Sequence, residues 1–234
     1  MQGFNDIADA VARYGLIQRG GFHAIDADGV PPLPDGAPAA TLIMLGNAGP
    51  RMWQCFADSV ELADGAPDAL DRWTRRVLGG VAGELGAIAL FPFGGPPYLP
   101  FQRWAMRAEP VFPSPLGLLI HPEYGLWHAY RGALAFAERL QLPPRPATES
   151  PCDACAEKPC LTTCPVGAFS PGAYDVPACA RHLDTPAGAD CMGEGCRARR
   201  ACPVGRDYRY APDQAAFHMR PFRRNALARL AAEG

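Results

Sequence analysis

Eight of the chain's nine cysteines fall between residues 152 and 202, and that crowding constrains the chain more than any other feature. They are Cys152, Cys155, Cys160, Cys164, Cys179, Cys191, Cys196 and Cys202; only Cys55 lies elsewhere. Thiols gathered this closely form either a disulfide framework or a ligand set. Disulfide frameworks belong to small exported domains that cannot bury a sufficient core. A chain of 234 residues buries roughly 70% of its unfolded surface and needs no such staples. Its opening, MQGFNDIADAVARYG, mixes charge into every turn and does not read as an export signal, so a cytoplasmic, reducing address is expected. Clustered thiols there hold metal.

Which metal is a question of spacing. A 4Fe–4S cube offers four irons at tetrahedral corners, and each takes one thiolate. The short run of two-cluster ferredoxins is C-x2-C-x2-C-x3-C-P, whose last cysteine ligates the other cluster. Here the run is Cys152-x2-Cys155-x4-Cys160-x3-Cys164-Pro165, longer by two residues in its middle gap. The tail recurs: CPVGAF at 164–169 is echoed by CPVGRDY at 202–208, a weak internal repeat suggesting two related halves. By the ferredoxin pattern, Cys152, Cys155, Cys160 and Cys202 form one set, and Cys164, Cys179, Cys191 and Cys196 the other. The rival is a pair of structural zinc sites, which favour paired C-x2-4-C knuckles. One clear C-x2-C and a repeated C-P tail favour iron–sulfur. Cys55 lies on an apolar helical stripe and reads as an inert core residue.

The remaining composition excludes more than it assigns. Net charge is −2 with the signs interspersed, so neither a nucleic-acid footprint nor a membrane-binding face is expected. No apolar run approaches the ~20 residues of a membrane span. Phe4, Ile7, Val11 and Tyr14 predict a helix over 4–17, and ATLIML at 40–45 a buried strand. Met52, Cys55, Phe56 and Val60 predict a second helix, Leu70 to Leu85 a third over 67–85, and AIALFPF at 87–93 a strand. LGLLI at 116–120 and LWHAYRGALAF at 126–136 flank HPEYG and read as a hairpin, although the second segment also fits a helix. The last segment, 213–232, reads as a basic helix with Asp213 as N-cap and Pro221 as a kink. No Rossmann fingerprint, Walker A, H-E-x-x-H or G-x-S-x-G is present.

ACARHLDTP at 178–186, followed by DCMGEGCRARRACPVG at 190–205, resembles the cluster region of epoxyqueuosine reductases, with stretched cysteine spacing. LGLLIHPEYGLWHAYRGALAFAERLQLP at 116–143 resembles a hairpin shared by those enzymes and the cobalamin-processing CblC-type proteins; reductive dehalogenases belong to the same broad group. The resemblance implies an α+β chain: a flavin-nitroreductase-like domain over 1–148, a small bacterial-ferredoxin-like two-cluster module over 149–212 and a C-terminal helix over 213–234. It further implies a corrinoid such as cobalamin, reduced by electrons from the clusters. Trp127 and Tyr130 are candidates to face the corrin ring, against the ordinary reading of strand aromatics as core. Arg131 matches an arginine of the CblC-type thiol site and is a candidate for a propionamide, phosphate or thiol ligand. The chain departs from the reductases at FGGPPYLPFQRW, where Gly94 or Gly95 replaces the catalytic acid; epoxide reduction by the same mechanism is not expected, and no catalytic residue is assigned.

Two function classes follow. One is a corrinoid-reducing oxidoreductase. The other is a ferredoxin-like carrier with a docking domain, no corrinoid and a redox protein as partner; a flavin in the first domain is a third possibility. His182, one turn beyond Cys179, is a candidate to tune a cluster by hydrogen bonding.

Overall fold

The computed structural model describes residues 4–233; the outermost residues of the expected first domain (1–3) and C-terminal helix (234) lie outside these. The chain divides into two compact units. The first takes the chain up to Pro110 and returns for His128–Thr148; the second takes Val111–Trp127 and the chain from Glu149 onward. Residues 111–127, assigned to the first domain from sequence, thus belong with the cysteines. The reason is burial: Leu116, Ile120 and Leu126 share one apolar cluster with Phe169, Ala198 and Cys202.

The first unit contains helices α1 (Phe4–Ala12), α2 (Arg51–Ala57), α3 (Val60–Ala63), α4 (Ala69–Glu84) and α5 (Phe101–Ala108). Its strands are β1 (Ile17–His23), β2 (Thr41–Ala48) and β3 (Ile88–Leu90). The chain then enters the second unit for β4 (Phe112–Pro113) and β5 (Leu119–Ile120), and returns with β6 (His128–Phe136). The sheet order is β1-β2-β6-β3, every pair antiparallel. Each residue of β2 is buried, which is why its centre, Leu42 to Leu45, reads as an unbroken apolar run. In α4, Leu70, Trp73, Val77, Leu78 and Val81 recur at helical spacing and are all buried. Helix α5 buries Phe101, Trp104, Ala105 and Ala108, and the Trp104 indole N–H donates to the Asp28 carbonyl at 2.9 Å.

Three expectations are corrected. The first helix stops at Ala12 rather than 17, because the chain turns through Gly15 at φ +66°. A Cβ there would lie 2.5 Å from the Arg51 carbonyl oxygen. The 116–136 hairpin does not form: β5 pairs with β4, whereas β6 pairs with β2 and β3. HPEYG instead closes on itself, His121 and Gly125 exchanging both backbone hydrogen bonds at 2.9 Å. Asp213 is the second residue of the last helix, not its N-cap, and Pro221 sits within that helix without ending it.

The second unit adds α6 (Pro159–Thr162), β7 (Phe169–Ser170) and β8 (Ala173–Tyr174). Helices α7 (Val176–Leu183), α8 (Ala189–Glu194), α9 (Arg197–Ala201) and α10 (Pro212–Glu233) follow. The strands β7 and β8 pair, α10 packs on α7 and α8, and α6 packs on α9. No helix among the described residues is long and apolar enough to cross a membrane.

Candidate metal centre

Two adjacent short helices organise the thiols. Helix α6 begins with Pro159 and carries Cys160, while Cys164 follows its end. Helix α9 has Cys196 as N-cap and Cys202 as C-cap, both in extended backbone. An extended conformation at Cys202 is what the following Pro203 requires. Each helix therefore offers one thiol at either side.

The eight thiols separate into two groups. Cys152, Cys155, Cys160 and Cys202 line one small cavity of about 20 Å³ together with Pro151, Pro159, Pro203 and Ile120. Cys164, Cys179, Cys191 and Cys196 line a second of about 320 Å³, with Phe169, Tyr174 and Phe222 in its wall. Cys179 lies on α7 and Cys191 on α8, so the second group draws on the helices that α10 braces. Among the described residues, no three His, Cys, Asp or Glu side chains converge closely enough for a single metal ion. Cys55 is half-buried on α2, away from both groups in the chain's first unit, with its thiol 3.9 Å from the Arg13 carbonyl oxygen.

The surroundings of the sulfurs are apolar and furnished with amides. Leu116, Ile120, Leu126, Phe169 and Ala198 form the cluster against which Cys152, Cys160, Cys164 and Cys196 pack. The Ala168 N–H donates to Cys164 Sγ at 3.4 Å. Backbone amides of Arg199 and Ala198 serve Cys196, and that of Val204 serves Cys202. Burial pushes the thiols of Cys152, Cys160, Cys179, Cys196 and Cys202 up from their ordinary value. Neighbouring thiols add to this: Cys202, Cys160 and Cys155 act on Cys152, and Cys164 and Cys191 on Cys179. Four negative sulfurs around one cavity repel one another, and a cationic occupant removes that penalty.

The fixed charges nearby hold the scaffold. Asp190 binds Arg197 at 2.5 Å and also Arg200; the Arg197 hydrogen bond in particular holds its carboxyl below the usual range. Arg199 donates to the Leu126 carbonyl at 3.1 and 2.5 Å and lies over the Trp127 and Tyr210 rings at 4.4 and 4.7 Å.

The expected corrin-facing residues fall in different units. Trp127 is 2% exposed in the second unit, its ring under Arg199 and against Tyr210. Tyr130 and Arg131 lie on β6 of the first unit. The Tyr130 hydroxyl donates to Glu109, and the buried Arg19 lies over its ring at 4.7 Å while pairing with Glu109 at 2.6 Å. Arg131 sits in the field of Asp71. Trp127 and Tyr130 are each committed to their own unit's packing.

One contributor lacked a sequence signal. The Tyr174 hydroxyl hydrogen-bonds Cys179. It comes from the two-residue strand β8 in FSPGAY, where nothing but the turn glycine marks the hairpin. At Gly95, one of the two glycines where the resemblance places an acid, a Cβ would lie 2.8 Å from the Pro97 carbonyl carbon and the Tyr98 nitrogen.

Comparison with known proteins bears on the fold. No family profile matches the chain, and no curated protein matches it. Solved structures do. Epoxyqueuosine reductase from Streptococcus thermophilus is 16% identical, with 90% of this chain and 69% of that chain covered and a TM-score of 0.51. The enzyme from Bacillus subtilis, solved with its catalytic loop swung out of the active site, is also 16% identical over the same shares, at a TM-score of 0.49. An epoxyqueuosine reductase bound to a tRNA stem loop is 15% identical, with 90% and 69% covered, at 0.46. The expected resemblance to epoxyqueuosine reductases is borne out at the level of a mixed α/β fold.

Proposed function

We propose that the chain is an iron–sulfur oxidoreductase-type protein that carries electrons on two 4Fe–4S clusters. Cys152, Cys155, Cys160 and Cys202 would hold one, and Cys164, Cys179, Cys191 and Cys196 the other. The observation that carries this reading is the four-and-four division of the thiols around two cavities, with Cys160 and Cys164 on opposite sides of it. All-thiolate sets in an apolar shell with amides on the sulfurs fit such clusters. When bound, they supply one-electron transfer. The chain's own residues bind the irons, keep water from the sulfurs and direct backbone N–H groups at them.

The finer reading makes the second unit a ferredoxin-like module, the first a nitroreductase-like domain and the partner a redox protein. The corrinoid role of Trp127, Tyr130 and Arg131 is not carried into it: Trp127 packs under Arg199, and Tyr130 donates to Glu109. Net charge alone does not exclude nucleic acid from a chain whose structural neighbour was solved with a tRNA stem loop; a mobility-shift assay with such a stem loop measures it.

The test is metal analysis without oxygen. Reconstituted protein should carry about eight irons and matching labile sulfide. Cys202→Ser and Cys179→Ser should each remove one of two electron-paramagnetic-resonance signals, and a different one. Zinc without labile sulfide overturns the reading. Loss of the same signal from Cys160→Ser and Cys164→Ser overturns the pairing.

A further inference from the structure

We propose that His182 and Tyr174 donate hydrogen bonds to the sulfurs of the second cluster and raise its reduction potential. This rests on the two-cluster reading above. His182 lies one turn beyond Cys179 on α7, so the two share a helix face. Its ring lines the cavity ringed by Cys164, Cys179, Cys191 and Cys196. Its Nε2 is buried and has no hydrogen-bond partner among the described residues. A buried ring nitrogen without a partner costs free energy unless something in the cavity takes its hydrogen bond. The sulfurs of a cluster are the acceptors that would stand there, reached from the Nε2–H tautomer.

The backbone under His182 is fixed. Its carbonyl accepts from the Thr185 hydroxyl at 2.8 Å and the Thr185 amide at 3.1 Å. Gly188 packs so tightly that a Cβ would lie 2.3 Å from that carbonyl oxygen. Tyr174 is fixed too: its ring stacks on Phe169 at 4.4 Å and is nearly parallel to Phe222 at 6.3 Å. Its hydroxyl already reaches Cys179. At the first group, by contrast, the donors to Cys160 and Cys202 are backbone amides. Reduction adds negative charge to the sulfurs, so donors aimed at them favour the reduced form and lift the potential.

The experiment is an anaerobic redox titration followed by electron paramagnetic resonance, with Cys179→Ser identifying the second cluster's signal. In His182→Phe and in Tyr174→Phe, its reduced-to-oxidised ratio at fixed potential should fall about tenfold, which is about 59 mV for a one-electron couple. The first cluster's midpoint should stay put, and iron content should stay at the wild-type value. His182→Gln, which keeps a donor, should restore part of the ratio. Unchanged midpoints at full iron content in both variants, or equal shifts of both clusters, overturn the inference and leave the two-cluster reading intact. Wild-type protein without iron and sulfide overturns both.

Discussion

Gly125 and Gly205 show how much rests on a missing side chain. Both have positive φ, +57° and +71°. A Cβ on Gly125 would lie 2.1 Å from the Val204 carbonyl oxygen, and one on Gly205 2.3 Å from that of Tyr124. This backbone contact ties the HPEYG turn to the stretch just after Cys202. Gly125→Ala should therefore destabilise the second unit by about 1–3 kcal/mol, the usual range for a residue forced into that conformation. On the iron–sulfur reading it should also loosen iron from the first group before the second. Urea unfolding and iron content per cluster signal measure both; an unchanged midpoint would refute the contact's importance. The sequence shows the glycine as a turn, but not the chain it touches eighty residues on.

At the scale of elements, α3 and α4 are joined by charge pairs, of which Glu61–Arg76 is the one with a buried carboxylate. Glu61 is buried and accepts from Arg76 at 2.5 and 3.0 Å. The Arg76 hydrogen bond holds the Glu61 carboxyl below its ordinary value. A lowered carboxylate contributes stability above its unfolded value, about 4.3. That contribution is lost as pH falls through the folded value. Wild type should thus unfold at higher denaturant than Glu61→Gln at pH 7, and the gap should close below pH of about 4. A gap independent of pH would refute it. Elements with plain periodicity were legible, α4 and β2 above all. Strand β1 was not, since Gln18, Arg19, Gly20 and Gly21 hide its register behind polarity, a bulge and a buried arginine. The division of the cysteines between two cavities follows the spacing of a known run; Tyr174's approach to Cys179 had no such signal, because it depends on where a four-residue hairpin lands.

For the whole molecule, the division into units interleaves the chain. The 111–127 segment supplies Leu116, Ile120 and Leu126 to the core that holds the thiols. A fragment starting at residue 149 carries all eight clustered cysteines yet lacks Leu116, Ile120 and Leu126. On the iron–sulfur reading it should bind markedly less iron than the full chain, and it should show weaker helical circular dichroism. Full iron binding by the fragment would show that the segment is dispensable.

The short helix α6 has a consequence of its own. Cys160 and Cys164 stand on opposite sides of the division yet only four residues apart along the chain. On the proposed reading the two charges stored by the molecule share one short covalent tether. That stretch would give an electron a through-bond route from one cluster to the other.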